Sequence, residues 1–437
     1  MLFTIREHGR IAPAEGAPRA GCVALPRRFY DRLRAHDEAR GSQAVFEWFA
    51  REAKATQWTG VIRIDGMQIE ILPKVSHEDD AEEDTRARDV LLTMLSYAGE
   101  VPVRPRELAS IRAKTADLGE LLAAIFAERL LDQLRRGPDR GYVTERENLT
   151  ALRGRLLVRQ HLVHNAVHRE RFFCEHDQFV EDTALNRVLR GTCEVLSDRV
   201  RTASTLDALD HCLRGLADVT SVPLSSELLG QVVITRQNER FGPLFQFCKM
   251  LIEGTSPTTR GGARETFSLL YDMNAVFERF VVGFLAEEVL RRTPGWKLHP
   301  KSRGHRRHLV RAEDRGLLRL EPDILLHGPG DEVMVVDTKW KRLVASREDR
   351  SVSRADLYQL YAYSQRYGAR RSVLLYPQVR DAQERTFDVL VEHDQASDQT
   401  IEVRYIDITQ VHTRTGRRAI HENLEKWLIP GALSVSA

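Results

Sequence analysis

Apolar and polar side chains alternate in the N-terminal part of the chain, which predicts β-strands. Residues 60–74 carry this alternation on both sides of Asp65-Gly66, a dipeptide typical of the tight turn in a β-hairpin. The run from His77 to Arg88 is mostly charged, and we interpret it as a solvated linker. The pattern predicts a β-rich N-terminal domain over residues 1–82.

Apolar positions recur at helical spacing from about residue 88 to residue 255. This spacing predicts a helical middle domain over residues 83–262. A segment rich in Gly, Pro and Thr, residues 255–262, is the candidate boundary at its end. Two amphipathic stripes define the pattern, one formed by Leu91, Leu92, Leu95 and Tyr97 and the other by Leu118, Leu121, Leu122, Ile125, Phe126 and Leu130.

The remaining residues, 263–437, form the third predicted domain. A long helix is predicted from about Thr266 to Arg292, and strands then alternate with one helix to about residue 410. Such alternation is typical of an α/β domain. The chain as a whole is therefore predicted to be a multidomain α+β protein.

Two neighbouring predicted strands carry a pair of carboxylates and a lysine. Asp323 precedes Ile324-Leu325-Leu326, and the apolar run 333–336 leads into Asp337-Thr338-Lys339. Because side chains alternate along a strand, Asp337 and Lys339 leave the same face, and Asp323 is their neighbour across the hairpin. Carboxylates bind hard cations such as Mg²⁺, and a lysine can orient or activate an attacking water. The residues predict a metal-dependent site for phosphodiester cleavage, and they leave open whether Lys339 is a base or an electrostatic stabiliser.

Glu278 is a candidate third carboxylate for this site. Its neighbours at helical spacing are mainly apolar, and none is basic. In one interpretation Glu278 points into the site and supplements the metal ligands. In the other it is an exposed glutamate at the edge of an apolar stripe.

Gln359 and Tyr363 are four residues apart on the predicted helix 356–364, so they share one face. An amide and a phenol on that face are suited to positioning a phosphate or supporting Lys339. The alternative is that the aromatic residues belong to the core and Gln359 is incidental. Three neighbours are expected to be core residues, namely Tyr358, Leu360 and Tyr361.

The segment 297–311 is strongly basic, with six Lys or Arg residues, three His and no acid. Its place between the long helix and the acidic strands suits contacts with nucleic-acid phosphates beside the site. A solvated loop is the alternative. The residues predicted to contact DNA are Lys301, Arg303, Arg306, Arg307 and Lys341.

Four histidines, His161, His164, His168 and His176, are an alternative metal site. The first three share roughly one helix face. However, arginines at 159, 169 and 171 would repel a cation. A structural or backbone-contact role is the preferred interpretation.

Composition and missing motifs narrow the class further. The 437 residues suffice for two or three domains, and 42% hydrophobic with 29% charged residues is typical of a soluble globular protein. Because the net charge is only +2, any binding of nucleic acid is expected to depend on local basic patches rather than on the charge of the whole protein. We expect a cytoplasmic protein without membrane contact. The N-terminus is charged where a signal peptide would be apolar, the five cysteines are scattered as in proteins with reduced thiols, and no apolar run is as long as a membrane span. The sequence has no G-x-x-x-x-G-K-[ST] motif, so no nucleotide is expected to bind this chain itself. The absence of G-x-S-x-G and H-E-x-x-H motifs removes the commonest hydrolase alternatives.

The site motifs resemble those of the PD-(D/E)xK nuclease superfamily. The elements are helical Glu278, Pro322-Asp323, Asp337-Thr338-Lys339 and Gln359 with Tyr363, in that order. Their order in the full chain is similar to the McrC-like family of nuclease subunits in McrBC modification-dependent restriction systems. Further segments that support the resemblance are Gly60-Val-Ile with Ile71-Leu-Pro-Lys74, Leu152-Arg-Gly-Arg155, residues 173–183, Asn186-Arg-Val-Leu189 and Asp337–Lys341.

This resemblance implies a restriction-endonuclease-like C-terminal domain that cleaves double-stranded DNA containing modified cytosine. It implies Mg²⁺ as cofactor, with Mn²⁺ as a substitute, bound by Asp323, Asp337, Thr338 and Glu278. It also implies a McrB-like AAA+ GTPase hexamer as partner, whose GTP hydrolysis the N-terminal part stimulates. Arg63 and Lys74 are candidate partner contacts, and a structural role for both is equally open.

Two other functions remain open at this point. The chain is either an adaptor or activator of a ring NTPase that does not itself cut DNA, or a stand-alone DNA repair nuclease. Metal binding by the isolated chain separates the first from a nuclease. Cleavage without nucleotide or partner identifies the second.

Overall fold

The structure is a computed structural model that describes residues 1–16, 21–75, 81–105, 107–108, 117–254, 267–293, 295–301, 306–313, 315–341, 352–378, 384–390 and 396–428. No helix among these residues is long and apolar enough to span a membrane. The chain divides into two compact units, one formed by residues 1–118 and 256–437 and the other by residues 119–255. The three-domain division stays a prediction.

The first segment of the larger unit is β-rich. Two four-stranded sheets have the strand orders β1-β7-β6-β11 and β3-β2-β5-β4. The elements up to residue 97 are β1 (Leu2–Arg6), β2 (Arg10–Pro13), β3 (Cys22–Leu25), α1 (Arg27–Glu38), β4 (Phe46–Trp48), β5 (Ala53–Ala55), β6 (Trp58–Ile64), β7 (Met67–Leu72) and α2 (Ala81–Tyr97).

The predicted hairpin over residues 60–74 is confirmed. Strands β6 and β7 pair with Ile64 opposite Met67, and both turn residues, Asp65 and Gly66, have positive φ angles of 50° and 78°. Such angles are those of the tight turn that Asp-Gly favours. The apolar faces of this segment form one buried cluster that includes Ile62, Ile69 and Ile71.

The predicted linker is wrong from residue 81 onward, and residues 77–80 lie outside the described part. Residues 81–97 form helix α2, and its charges are paired with the sheet. Arg88 lies 2.8 Å from fully buried Glu70, and Arg6 lies 3.5 Å from Glu83 and 2.6 Å from Asp84. The charges that suggested solvation therefore anchor the helix.

The second unit combines helices with a small sheet of strand order β8-β10-β9. Both predicted amphipathic stripes are buried, the first on α2 of the larger unit and the second over residues 118–130. The purely helical pattern is wrong between residues 141 and 180, because β8 and β10 pair antiparallel over nine residues. The elements are α3 (Leu118–Leu134), β8 (Gly141–Leu149), β9 (Arg155–Leu156), α4 (Val158–His164), β10 (Phe172–Val180), α5 (Ala184–Ser197), α6 (Ala203–Gly215), α7 (Ser226–Gly230) and α8 (Gly242–Gly254).

The last segment returns to the larger unit and is α/β, as predicted. Its mixed six-stranded sheet has the order β12-β15-β16-β17-β19-β18, and β16, β17 and β19 are mutually parallel. The elements are β11 (Phe267–Asp272), α9 (Met273–Phe284), β12 (Lys297–Pro300), β13 (Arg307–Ala312), β14 (Arg315–Leu320), β15 (Ile324–His327), β16 (Val333–Thr338), α10 (Arg354–Tyr367), β17 (Arg371–Pro377), β18 (Arg385–Leu390), β19 (Ala396–Ile406) and α11 (Arg414–Leu428).

The long helix predicted over 266–292 begins later than expected. Residues 267–272 are strand β11, which pairs antiparallel with β6 of the first segment. Gly60 permits this pairing, because a Cβ at its φ of 131° would lie 2.0 Å from the Leu269 carbonyl oxygen. Helix α9 follows and continues as a π-turn over Leu285–Val289 and a 3₁₀ turn over Leu290–Arg292. The larger unit is thus joined by a strand pair between residues far apart in sequence.

Candidate active site

Asp337 lies on β16 and Asp323 directly precedes the adjacent strand β15, as the sequence pattern predicts. Ile324 pairs with Val336, which brings Asp323 to the end of β16. There the Asp323 Oδ2 atom accepts hydrogen bonds from the Thr338 backbone N–H at 2.8 Å and from its hydroxyl at 3.0 Å. Both aspartates are buried: 7% of the surface of Asp323 and 1% of that of Asp337 are exposed to solvent. A carboxylate buried to this degree requires such partners.

Lys301 is the partner of the other Asp323 oxygen. Its Nζ atom lies 3.4 Å from Oδ1, and its backbone N–H donates to the Asp323 carbonyl at 3.0 Å. The sequence pattern assigned Lys301 to DNA phosphates. The structure places it beside the first carboxylate of the site, and its contact with DNA phosphates stays a prediction.

Asp337 is paired with the lysine two residues further along the chain. The Lys339 Nζ atom lies 2.7 Å from Asp337 Oδ2. Burial, followed by the charge of Asp323, raises the pKa of Asp337 to about 6 even with this lysine beside it. Burial is the largest influence on the pKa of Lys339 and lowers it, but Asp337, Asp323 and Asp356 together raise it, so the net shift is upward. This shift favours the charged ammonium form of Lys339.

Glu278 on α9 faces the same charges. Burial and the Asp323 carboxylate raise its pKa to about 7, whereas Lys301 and Lys339 lower it. Interactions with all these groups place Glu278 at the site rather than at a solvent-exposed edge. The site thus combines two buried carboxylates and one half-buried carboxylate with two lysines.

Gln359 and Tyr363 lie together on α10, as their spacing predicts. The Gln359 Nε2 atom donates to the Tyr363 hydroxyl at 2.7 Å, and the hydroxyl donates to the Glu321 carbonyl at 3.1 Å. The Lys339 Nζ atom reaches the Gln359 Oε1 atom at 3.5 Å. Helix α10 therefore connects the lysine to the loop before Asp323.

Two neighbours on the same helix were predicted wrongly as core residues. Tyr358 is 72% exposed and Tyr361 is 46% exposed, whereas Leu360 is fully buried. The buried face of α10 carries Leu360 and Tyr363, whereas Tyr358 and Tyr361 lie on its exposed side. The aromatic character of Tyr358 and Tyr361 suggested burial, but their positions around the helix axis place them on the exposed face.

The other residues predicted to contact DNA occupy different environments. Arg306 lies 2.6 Å from Glu321, and Arg307 packs over the Tyr367 ring with its guanidinium 5.0 Å from the ring centre. Lys341 lies 3.5 Å from Asp356. Arg303 lies outside the described residues. DNA contact by these side chains stays a prediction.

Asp356 was missed by sequence reasoning. It is 8% exposed, accepts a hydrogen bond from the Tyr376 hydroxyl at 3.4 Å, and its charge raises the pKa values of Asp337 and Lys339. An acid in the first turn of a helix is so common that no sequence signal set it apart.

The four histidines do not form a common site. His161 stacks on Phe172 and His164 on Phe173, with ring centroids 6.0 and 4.9 Å apart. His176 is instead grouped with Glu145 and Glu147, whose potential ligand atoms lie within 4.8 Å of one another. Within the described part of the chain this is the one such group of three or more acidic, His or Cys residues.

The donor set at the candidate site fits a hard divalent cation. Carboxylate oxygens are the ligands that Mg²⁺ and Mn²⁺ take, and the raised pKa values of Asp337 and Glu278 mark a deficit of positive charge. The three carboxylates do not all converge within 4.8 Å, and Asp323 and Asp337 are each paired with a lysine. The arrangement fits an open cation site rather than a closed cage.

The N-terminal segment reaches the strand that carries the site. The Trp340 Nε1–H donates to both oxygens of Glu7, at 2.9 and 3.2 Å. The Glu7 carboxylate also accepts the Lys74 backbone N–H at 3.1 Å. Lys74 and Lys341 line a cavity of about 350 Å³ beside Trp340. Arg63 lies on β6 opposite Phe267, within the sheet that this segment forms.

Comparison with solved structures shows the fold. A refined half-complex from a tetradecameric assembly of Thermococcus gammatolerans McrB AAA+ hexamers with bound McrC is similar over 98% of this chain and 100% of the matched chain, with a TM-score of 0.68 and 21% identity. The cryo-EM structure of the Thermococcus gammatolerans McrBC complex matches 66% of this chain and 88% of its own, with a TM-score of 0.51 and 22% identity.

Comparison with sequence families shows the relationship of this chain. No curated protein matches it. A family described as McrBC 5-methylcytosine restriction system component matches residues 53–377, well over half of the sequence. The resemblance of the full chain to the McrC-like family is thereby confirmed. The protein belongs to the family of McrBC 5-methylcytosine restriction system components.

Proposed function

We propose that the chain is the Mg²⁺-dependent DNA endonuclease subunit of a GTP-dependent restriction complex. One observation carries the proposal: buried Asp323 and Asp337 lie where β15 begins and β16 ends, and half-buried Lys339 and Glu278 interact with their charges. Membership of the restriction family and the order of the motifs support a PD-(D/E)xK assignment for the C-terminal domain.

The residues that would hold Mg²⁺, or Mn²⁺ in its place, are Asp323 and Asp337. The Thr338 carbonyl and Glu278 are further oxygen ligands. When bound, the cation polarises the phosphate and lowers the pKa of a water molecule. These ligands come from β16, from helix α9 and from the residue directly before β15, all within the same compact unit.

The remaining side chains position and stabilise. Thr338 holds Asp323 through two hydrogen bonds, which leaves the Asp323 Oδ1 atom directed towards Lys301. Cationic Lys339 is suited to stabilising the charge that develops on the phosphate oxygens. Gln359, fixed by Tyr363, limits the positions that the Lys339 ammonium adopts.

The proposed partners are a McrB-like AAA+ GTPase hexamer and double-stranded DNA that contains modified cytosine. The family description names 5-methylcytosine restriction, and the similar solved assembly contains McrB AAA+ hexamers with bound McrC. The absence of a P-loop motif from the sequence agrees with a nucleotide-driven motor on another chain. Arg63 and Lys74 remain candidate contacts with that motor.

A plasmid carrying methylated cytosine tests this function. The chain is incubated with its AAA+ partner, GTP and Mg²⁺, and each component is omitted in turn. Linear product that requires every component supports the proposal. Cutting without partner and GTP identifies a stand-alone nuclease instead.

A non-cleaving adaptor is the second candidate. The observation that favours it is that Asp323 and Asp337 each have a lysine within 3.4 Å, so part of their charge is balanced without a metal. Calorimetric titration of the isolated chain with Mn²⁺ separates the two functions. Binding that Asp337→Asn removes supports the nuclease, and no binding by the unaltered chain supports the adaptor.

A further inference from the structure

Strands β13 and β14 form a two-stranded ribbon that pairs with no other strand of the described chain. All six residues of β13 are exposed, and so are the first five of β14. An isolated two-stranded hairpin is at best marginally stable in water. A ribbon of this kind therefore gains order from what it is attached to and from what it binds.

The base of the ribbon is attached to the candidate active site. Arg306 and Arg319, one from each side of the ribbon, both pair with Glu321. The Tyr367 hydroxyl donates to the Leu320 carbonyl at 2.9 Å. Glu321 is two residues before Asp323, so a ligand that fixes the ribbon also fixes its distance from the first carboxylate.

Cations and apolar side chains share the surface of the ribbon. Arg311 and Arg315 are exposed and have no ion-pair partner among the described residues. Val310 and Leu317 pair across the strands, and each is 47% exposed. Leu318 is 66% exposed and has a φ of 53°, a left-handed conformation that a leucine seldom adopts without a functional reason.

Charge complementarity selects a nucleic acid as the occupant. Residues 306–320 contain five arginines and two acids, and the free guanidinium groups are suited to phosphate oxygens. Apolar side chains between them are suited to base edges, such as the methyl group of thymine. A protein partner would instead be expected to meet an apolar patch with few unpaired charges at its centre.

We propose that the β13–β14 ribbon lies in the major groove of the DNA duplex that the site cleaves, with Arg311 and Arg315 on phosphates at the groove edge. A two-stranded ribbon fits the major groove, about 12 Å wide, and not the minor groove, about 6 Å wide. Six residues extend about 20 Å, enough to cross the groove. The inference rests on the proposed nuclease function and adds the surface that sets the cleavage position.

Fluorescence anisotropy with a labelled 30-base-pair duplex in Ca²⁺ tests the ribbon on the full-length chain. The double variant R311A/R315A is expected to bind roughly 10-fold or more weakly at 0.1 M salt. The slope of log K against log salt concentration is expected to fall by about 2, since each phosphate contact contributes about 0.9. The control R51A/R414A removes two exposed arginines elsewhere in the same unit and is expected to change neither quantity.

Several results overturn the inference. Unchanged affinity and slope in R311A/R315A remove the ribbon from the DNA interface, and competition by netropsin, a minor-groove ligand, excludes the major groove. Loss of self-association in sedimentation with unchanged DNA binding assigns the ribbon to a second copy of the chain.

Asp337→Asn separates this inference from the proposed function. It is expected to bind the duplex as the unaltered chain does but not to cut it. DNA binding that depends on Arg311 and Arg315 in a chain that never cuts supports the ribbon and contradicts the nuclease. DNA cutting that R311A/R315A leaves unchanged supports the nuclease and contradicts the ribbon.

Discussion

The contact between Trp340 and Glu7 should couple the N-terminal segment to the residues directly after β16, which include Lys339. Trp340→Phe keeps an aromatic ring against Phe277, whose ring centroid is 5.5 Å away, but removes the Nε1–H donor. Glu7 is 3% exposed and would lose two hydrogen-bond contacts, at 2.9 and 3.2 Å. Because water cannot replace the lost donor at so buried an acceptor, destabilisation is expected.

The expected magnitude is about 2 kcal/mol, the usual range for a lost hydrogen bond to a buried charged acceptor. Urea unfolding followed by far-UV circular dichroism measures it, with Trp296→Phe as the control for loss of an indole outside this contact. A double-mutant cycle with Glu7→Gln isolates the pair, and a coupling energy of at least about 1 kcal/mol is expected.

A loss below about 0.5 kcal/mol in Trp340→Phe would refute the reasoning, since that is the scatter of surface substitutions. The functional consequence is measured separately as the partner's stimulation of DNA cutting. If the contact transmits partner engagement to Lys339, the variant loses stimulation while Mn²⁺ binding is retained. Equal stimulation in both proteins would show that the contact is only structural.

Two further predictions concern side chains whose partners the structure defines. Thr338→Val removes the hydroxyl donor from Asp323 while preserving shape, and is expected to weaken Mn²⁺ binding about 10-fold, the effect typical of a group that orients a metal ligand; calorimetry that gives an unchanged Kd would contradict this. Burial lowers the pKa of His36 to about 4, against 6.5 in the unfolded chain. The free energy of unfolding is therefore expected to be independent of this histidine above pH 6.5 and to fall by about 1.4 kcal/mol per pH unit between pH 6.5 and pH 4, because only the unfolded chain binds the proton there. His36→Leu should flatten urea-measured stability over that window, and an unaltered pH profile would exclude a neutral buried histidine.

Short-range patterns made much of the fold predictable. The Asp65-Gly66 turn fixes the register of its hairpin, and apolar strands on both sides of a turn bring Asp323 to Thr338. Helical spacing places Gln359 beside Tyr363. Each of these relations joins residues less than 20 apart, where period and turn chemistry suffice.

Contacts between residues far apart in the chain could not be predicted from the sequence pattern. Strand β11 was read as the start of a helix because its partner, β6, lies some two hundred residues earlier. The charges of α2 suggested solvent until the sheet supplied Glu70 and Arg6 as partners. Lys301 stands in a basic run like any phosphate contact, and only the pairing of β12 with β15 brings it to Asp323.

The central claim is that the buried carboxylates cut DNA, and Asp337→Asn tests it most directly. Cleavage of methylated plasmid by the full assembly with GTP and Mg²⁺ is compared between this variant and Asp388→Asn, which changes an exposed aspartate of the same sheet. We predict no nicked or linear product from Asp337→Asn, with the partner's GTP hydrolysis still stimulated, and unaltered cutting by Asp388→Asn. Cutting by Asp337→Asn at the rate of the unaltered chain would contradict the account.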